Sequence, residues 1–489
     1  MALRRVRATA RAGFEEATAR WRRRPRPGNE LNERERQRLR DKVEACLDPR
    51  LSGVAIRNRA GEVADVVVTL DRNGLLEFFR LLLESFGPDT DKVQRALDDT
   101  ADVLTPIRGG QADAAAVLDA VAALRLACAP RWEQLFELLC GLRGGVKLTV
   151  DLRAELLQLR REHPELAPLD TDLQQVLSRV FPPGLLELRR ITWDSPGSLL
   201  EKLIDYEAVH EITSWDDLKN RLDDHDRRCY AFIHPGMPDE PLIFVEVALV
   251  EAIATDVAPL LDISAPSGAG HEATTAIFYS ISACQPGLAG VNLGDVLIKE
   301  VVADLSRDLP RLNQFATLSP LPGFRRWLDN ELNRPDSAVL GPDDLEAIAE
   351  LTPDGATGAA ALAAVLADLT GAGPADADGA TVPKALRELL VGLCVDYLIG
   401  DGPGRSRDRV ANFHLTNGAQ VERINWMANA TPTGIRESYG LMVNYRYDLT
   451  KIDANHEQYV AHGIIARSSA IARIATARRK ARAARAETH

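Results

Sequence analysis

Apolar positions recur every three or four residues over most of the chain from Asn29 to about Arg190, as in LLEFFRLLLESFG (75–87) and RWEQLFELLCGL (131–142). That spacing stacks side chains on one face of an α-helix, and few β-branched runs interrupt it. An all-helical domain over 29–185 is predicted, preceded by an arm over 1–28. The pattern breaks at FPPGLLELRRITWDSPG (181–197), where two prolines, a glycine and then β-branched residues change the texture. Strand-like runs follow at YAFIH (230–234), LIFVEVALV (242–250), AIFYSIS (276–282), FATLS (315–319), RINWMAN (423–429) and LMVNYRY (441–447). Helical segments such as DVLIKEVVADLSRDLP (295–310) separate them, so residues 186–489 read as a mixed α/β domain. Between two apolar runs, Asn417-Gly418 predicts a hairpin or loop turn, since both residues tolerate positive φ. An Ala, Gly and Asp-rich stretch from Gly355 to Gly379 reads as an insertion with a short helix inside 358–369.

Length and composition narrow the class. At 489 residues the chain exceeds one ordinary core, and 45% hydrophobic with 27% charged residues is a globular balance. No apolar run approaches the roughly 20 residues of a membrane-spanning helix, so no membrane partner is expected. The net charge of -12 argues against nucleic acid as a partner. Basic residues gather at the ends, including Arg22, Arg23 and Arg24 in the first segment and Arg478, Arg479, Lys480, Arg482 and Arg485 in the last. Aromatic residues are scarce in both, which predicts solvated arms or exposed helix rather than a nucleic-acid surface. Glu15 and Glu16 interrupt the Arg- and Ala-rich start, and the first segment reads as untargeted. The six cysteines, Cys46, Cys128, Cys140, Cys229, Cys284 and Cys394, are scattered, without C-x-x-C or metal-ligand spacing. Reduced thiols in a cytosol fit that scatter, and no metal is expected.

Candidate chemistry lies in the second domain. In FYSISACQPGLAGVNLGDVLIKEVVADL (278–305) a strand runs into a loop bearing Gly287, Gly290 and Gly294, and then into a helix whose apolar face is Leu297, Ile298, Val301, Val302 and Leu305. Such a strand, loop and helix N-terminus turns backbone N–H groups outward, with the helix dipole behind them, and suits a pyrophosphate; a purely structural glycine turn fits the residues equally. The spacing matches neither G-x-x-x-x-G-K-[ST] nor G-x-G-x-x-G. It is similar to the strand–loop–helix with which acyltransferases of the GNAT fold hold coenzyme A. Ser319, where a strand ends before Pro320 and Pro322, is either a turn cap or a functional hydroxyl. His414 is either a satisfied turn histidine or a general acid, its ordinary pKa of about 6.5 suiting proton delivery near neutrality. Tyr445 and Tyr447 share one strand face, from which one of them can reach such a site; purely structural roles fit both by periodicity at least as well.

Taken together, RRCYAFIH, AIFYSIS, GLAGVNLG, LIKEVVADL, LSPLPGF, VANFHLTNGA, RINWMA and LMVNYRY, in that order over 227–447, resemble the malonyl-CoA decarboxylase family. The resemblance implies a helical N-terminal domain serving assembly into a homodimer or homotetramer, and a GNAT-like α/β catalytic domain. It implies conversion of malonyl-CoA to acetyl-CoA and carbon dioxide in fatty acid metabolism, with no metal or organic cofactor, coenzyme A being part of the substrate. Residue by residue it assigns coenzyme A binding to Ala289, Gly290, Val291, Asn292, Leu293, Gly294 and Asp295, and catalysis to Ser319 and His414 with support from Tyr447. Some members of the family carry glutamate where this chain has Asn292. Two other readings stay open: an acetyl-CoA-dependent acyltransferase of GNAT type, and a helical assembly protein that binds coenzyme A only as a ligand. The chain ends Glu487-Thr488-His489, without the Ser-Lys-Leu peroxisomal address, and a cytoplasmic location is expected.

Overall fold

The computed structural model describes residues 31–104, 114–264, 270–291, 294–352, 355–371, 382–400 and 402–486. The arm expected over 1–28 lies outside them, as do residues 372–379 of the Ala, Gly and Asp-rich stretch. The chain forms two compact units. One takes in the chain up to Glu187 with the short segments 233–240 and 285–292, and the other comprises 188–232, 241–284 and 293–489.

The first unit is helical. Its helices are α1 (Glu33–Cys46), α2 (Gly53–Val67), α3 (Arg72–Ser85), α4 (Thr90–Leu104), α5 (Ala114–Cys128), α6 (Arg131–Cys140), α7 (Gly145–Leu159) and α8 (Ala167–Val180). Local chemistry fixes where several begin: the Asn32, Ser52 and Asp71 side chains accept the free N–H groups of Glu35, Ala55 and Gly74. Helices α6, α7 and α8 pack on one another and α3 packs on α7. Phe78, Phe79, Leu135, Phe136, Leu152 and Leu156 are fully buried in this unit, each stabilising it by about 1.5–3 kcal/mol. Helices α4 and α5 pair with each other, yet α5 contributes no buried residue.

The second unit is built on a mixed sheet. Its elements are β1 (Glu187–Ile191), α9 (Gly197–Tyr206), α10 (Trp215–Arg221), β2 (Arg227–His234), β3 (Met237–Val250), α11 (Ala258–Leu261), β4 (Thr275–Ala283), α12 (Gly294–Asp308), β5 (Gln314–Thr317), β6 (Ser319–Pro320), α13 (Phe324–Asn333), α14 (Pro342–Leu351), α15 (Ala359–Gly371), α16 (Lys384–Ile399), α17 (Arg409–Thr416), β7 (Gln420–Asn425), α18 (Pro432–Ser438), β8 (Met442–Arg446), α19 (Ile452–His462) and α20 (Ser469–Ala486). The strand order is β1-β2-β3-β4-β5-β8-β6, and β7 pairs β8. Strands β3 and β4 are antiparallel, with a register shift that leaves Tyr279 bulged between Phe278 and Ser280. Strands β4 and β5 run parallel, Thr275 beside Gln314 and Phe278 beside Thr317, joined through α12. The predicted strand, loop and helix is therefore present, and Leu297, Ile298, Val301, Val302 and Leu305 are all buried.

The sheet has two unlike faces. Ile277, Tyr279, Ala316, Leu318 and Met442 share an apolar cluster with Val257, Leu260 and Ala428. By the two-residue period of a strand, Thr317 and Ser319 then point to the opposite face.

At the C-terminus the expected solvated arm or exposed helix is a helix with Arg479 and Lys480 exposed, but Arg478 and Arg482 depart from that expectation. Arg478 pairs with Asp344 at 2.7 Å and Arg482 with Asp396 at 2.8 Å, all four side chains being largely buried. Two aspartates brought in by α14 and α16 neutralise these arginines, and no local pattern reveals that pairing. Among the described residues no helix is long and apolar enough to cross a membrane.

Candidate active site

His414 sits in a helix, not beside a hairpin. The Asp408 carboxylate accepts the Ala411 N–H at 2.9 Å and so starts α17, while the Tyr397 hydroxyl donates to its other oxygen at 3.0 Å. Ala411, His414 and Leu415 form the buried stripe of this helix. It stops at Asn417 and Gly418, with Gly418 at φ +80° and the Ala419 N–H returning to the His414 carbonyl at 3.1 Å. The Asn-Gly step is thus a helix terminus. A side chain at Gly418 would also meet the Ile452 carbonyl oxygen at 2.2 Å, so glycine is required there twice over.

Strand β6 and the residue that follows β8 bring hydroxyl groups to this histidine. His414 Nε2 lies 3.0 Å from Ser319 Oγ and Nδ1 lies 2.8 Å from the Tyr447 hydroxyl. Ser319 donates to Thr317 Oγ1 at 2.8 Å, and that oxygen also accepts the Tyr445 N–H at 3.1 Å. Because the single Ser319 proton is directed at Thr317, Nε2 carries the imidazole proton and donates to Ser319, and Tyr447 donates to Nδ1. The result is a directed chain: Tyr447 to His414 to Ser319 to Thr317. The Tyr445 ring stacks on the imidazole with centroids 4.6 Å apart. All five side chains are buried.

Burial sets the electrostatics of the group. Desolvation by burial pushes the His414 pKa down to about 3, and among the described residues no carboxylate offsets it. This corrects the sequence-based expectation of an imidazole titrating near neutrality. The Tyr447 phenol is pushed well above its ordinary range by the same burial. Both groups are neutral at pH 7, and protons can pass along the chain without a resident charge.

Ser319 is not a turn cap, since its hydroxyl is engaged by Thr317 and His414. Tyr445 and Tyr447 both reach the histidine, where the shared strand face promised one. Thr317, Asp408 and Tyr397 escaped sequence reasoning. The signal for Thr317 was present, because Thr317 and Ser319 are two residues apart in a strand and so share a face.

The expected coenzyme A loop divides. Asn292 and Leu293 lie outside the described residues, and Gly294 and Asp295 open α12 in the sheet unit. Ala289, Gly290 and Val291 belong to the helical unit, where Arg153 donates to the carbonyls of Gly287 and Ala289 at 2.7 and 2.8 Å, and Gln174 to that of Gly290 at 2.8 Å. The N–H groups of Ala289 and Val291 are bound to the Pro286 and Leu288 carbonyls. Gly287 is needed for packing, since a Cβ there would meet the Val150 oxygen at 1.8 Å, and Gly290 takes φ +78°. Donors to a phosphate are therefore better sought in the first turn of α12 than at Ala289 or Val291.

Residues 184–485 match the family model described as malonyl-CoA decarboxylase C-terminal domain, and residues 86–181 match that of the N-terminal domain. The mitochondrial malonyl-CoA decarboxylase of the goose Anser anser anser is 38% identical over 397 residues, covering 78% of this chain and 76% of its own. The mitochondrial malonyl-CoA decarboxylase of Rattus norvegicus is 37% identical over 396 residues, with 78% of each covered. Among solved structures, malonyl-CoA decarboxylase from Rhodopseudomonas palustris aligns with a TM-score of 0.75 at 38% identity, over 89% of this chain and 98% of its own. That from Agrobacterium vitis gives 0.77 at 36% identity, over 90% and 99%.

Proposed function

The chain belongs to the malonyl-CoA decarboxylase family, and on that premise we propose that it converts malonyl-CoA to acetyl-CoA and carbon dioxide. The observation that carries the reading is the neutral hydrogen-bonded chain Tyr447–His414–Ser319, which ends in a hydroxyl and holds no free nucleophile with a general base beside it. Loss of carbon dioxide from the malonyl thioester breaks the bond between C2 and its carboxylate carbon. The electron pair passes into an enolate on the thioester oxygen. One proton must then reach C2.

On this reading Ser319 turns its hydroxyl from Thr317 to the substrate and delivers that proton. His414 Nε2–H replaces it, and Nδ1 takes the Tyr447 proton in the same movement. A thioester enolate is a far stronger base than phenolate, so the transfer runs downhill although Tyr447 is a weak acid. One proton from solvent restores Tyr447, which balances the turnover. His414 acts through Ser319, because both ring nitrogens are engaged and neither faces open space. No metal or organic cofactor enters these steps.

The pyrophosphate of coenzyme A is assigned to the first turn of α12, Gly294 and Asp295, since a helix N-terminus and its dipole suit an anion. Self-association is assigned to the helical unit, supported by the exposed apolar residues of α4 and α5. The setting is taken to be cytoplasmic, although the goose and rat relatives bear mitochondrial names. Incubation of the purified protein with malonyl-CoA alone tests the reading. Acetyl-CoA should form without an acceptor; formation only when an amine acceptor is supplied would point to acyl transfer instead.

A further inference from the structure

Arg325, Arg326, Asp329, Asn330 and Arg436 line an open cavity of about 630 Å³ in the sheet unit. Arg325 and Arg326 stand in the first turn of α13, where free backbone N–H groups and the helix dipole add to their positive potential. Arg436 comes from α18. Three guanidinium groups thus face one carboxylate, and that carboxylate is shared. Asp329 lies 3.8 Å from Arg325 Nε and accepts the Tyr439 hydroxyl at 3.3 Å. Among the described residues neither Arg326 nor Arg436 has an ion-pair partner; Arg436 donates to Thr433 of its own helix at 3.0 Å.

The wall of the cavity is fixed. The Arg325 guanidinium lies over the Tyr439 ring, 5.2 Å from its centroid, and that ring is buried edge-on against Phe324. Tyr439 itself holds φ +53°, a left-handed conformation that a tyrosine keeps only when its surroundings impose it. Like charges gathered around a hollow repel one another until an anion enters.

The cavity is also near the reactive chain. Arg325 follows Ser319 by six residues, so at most about 20 Å of backbone separates them. β4 and β5 are parallel and lead into α12 and α13, an arrangement in which ligands bind beyond the C-terminal strand ends.

We propose that this cavity binds the ribose 3′-phosphate of the coenzyme A portion of the substrate. The assignment rests on the malonyl-CoA reading, in which the pyrophosphate lies at α12 and the phosphomonoester dianion is the anion still without a site. Arginine forks match such a group with paired charge-assisted hydrogen bonds.

Steady-state kinetics of the full-length protein with malonyl-CoA and with 3′-dephospho-malonyl-CoA test it, for the wild type and the variant Arg326→Gln/Arg436→Gln. Both positions are exposed, so the variant should fold, and its thermal melt checks this. In the wild type, removal of the 3′-phosphate should raise KM about tenfold or more with kcat little changed. The variant should show the raised KM for malonyl-CoA and no further rise for the dephospho substrate. An equal KM ratio in both proteins would overturn the site. Should neither substrate be decarboxylated, the functional reading fails, and calorimetry decides the site separately. Adenosine 3′,5′-bisphosphate should then bind the wild type about tenfold more tightly than adenosine 5′-diphosphate, with the difference lost in the variant. Equal affinities, or inorganic phosphate binding as tightly as the bisphosphate, would rule the assignment out.

Discussion

His414 is buried with both ring nitrogens occupied, and its behaviour follows from that. His414→Asn and Ser319→Ala should each lower kcat by about 10²-fold or more, with KM changing far less, as measured by acetyl-CoA release. The double variant should lose much less than the product of the two losses, because the groups act on one transition state. Thr317→Val removes the acceptor that directs the Ser319 hydroxyl. It should lower kcat while Thr317→Ser restores most of it, a contrast that loss of packing alone would not give. The pH dependence has a definite sign. His414 falls from an ordinary 6.5 to about 3 in the fold, so between those values the unfolded chain binds more protons than the native one. Its contribution to stability is present above about 6.5 and is lost as pH falls toward 3. Urea unfolding at about pH 7 and pH 4 should show a smaller acid loss for His414→Asn than for the wild type, and kcat of the wild type should show no inflection from an imidazole near neutrality.

At the scale of elements, α17 positions the histidine and its two ends decide whether it does so. Asp408→Ala removes the N-cap, worth about 0.5–2 kcal/mol, and leaves the Tyr397 hydroxyl unpaired. Chemical denaturation should register the lost stability, and kcat should fall with it as the helix loses its anchor. The strand–loop–helix of β4 and α12 was legible as an element, but the sequence left its glycines open between phosphate binding and a structural turn. Gly287 lies against α7, so Gly287→Ala should destabilise the helical unit before it affects ligand affinity. A variant with unchanged melting temperature would contradict that account.

For the whole molecule, the helical unit presents apolar side chains that none of the described residues covers. Leu118 and Leu126 of α5 are 70% and 78% exposed, and Leu97 and Leu104 of α4 stand beside them in the same helix pair. A second copy of the chain is the partner assigned to this surface, since burying such residues against one another removes apolar area from water. Leu118→Asp/Leu126→Asp should lower the association state in sedimentation while leaving the fold intact by circular dichroism. An unchanged sedimentation coefficient would remove α5 from the assembly surface.

Periodicity alone determined the helical first half, the strands β2 to β5, β7 and β8, and the helix α12, because each follows from apolar side chains recurring at positions that must be buried. The catalytic roles expected of Ser319 and His414 came instead from the family resemblance that the ordered motifs around them carry. Periodicity missed α17, whose Asp408 cap lies six residues before the histidine, and its glycine stop read as a hairpin or loop turn. Only the tertiary structure decided that His414 and Ser319, 95 residues apart, share a hydrogen bond, and that Thr317 and Tyr447 complete the chain. It alone decided that the imidazole stays neutral. A pKa depends on how much water and charge surround the group, and those come from segments that no local pattern brings together.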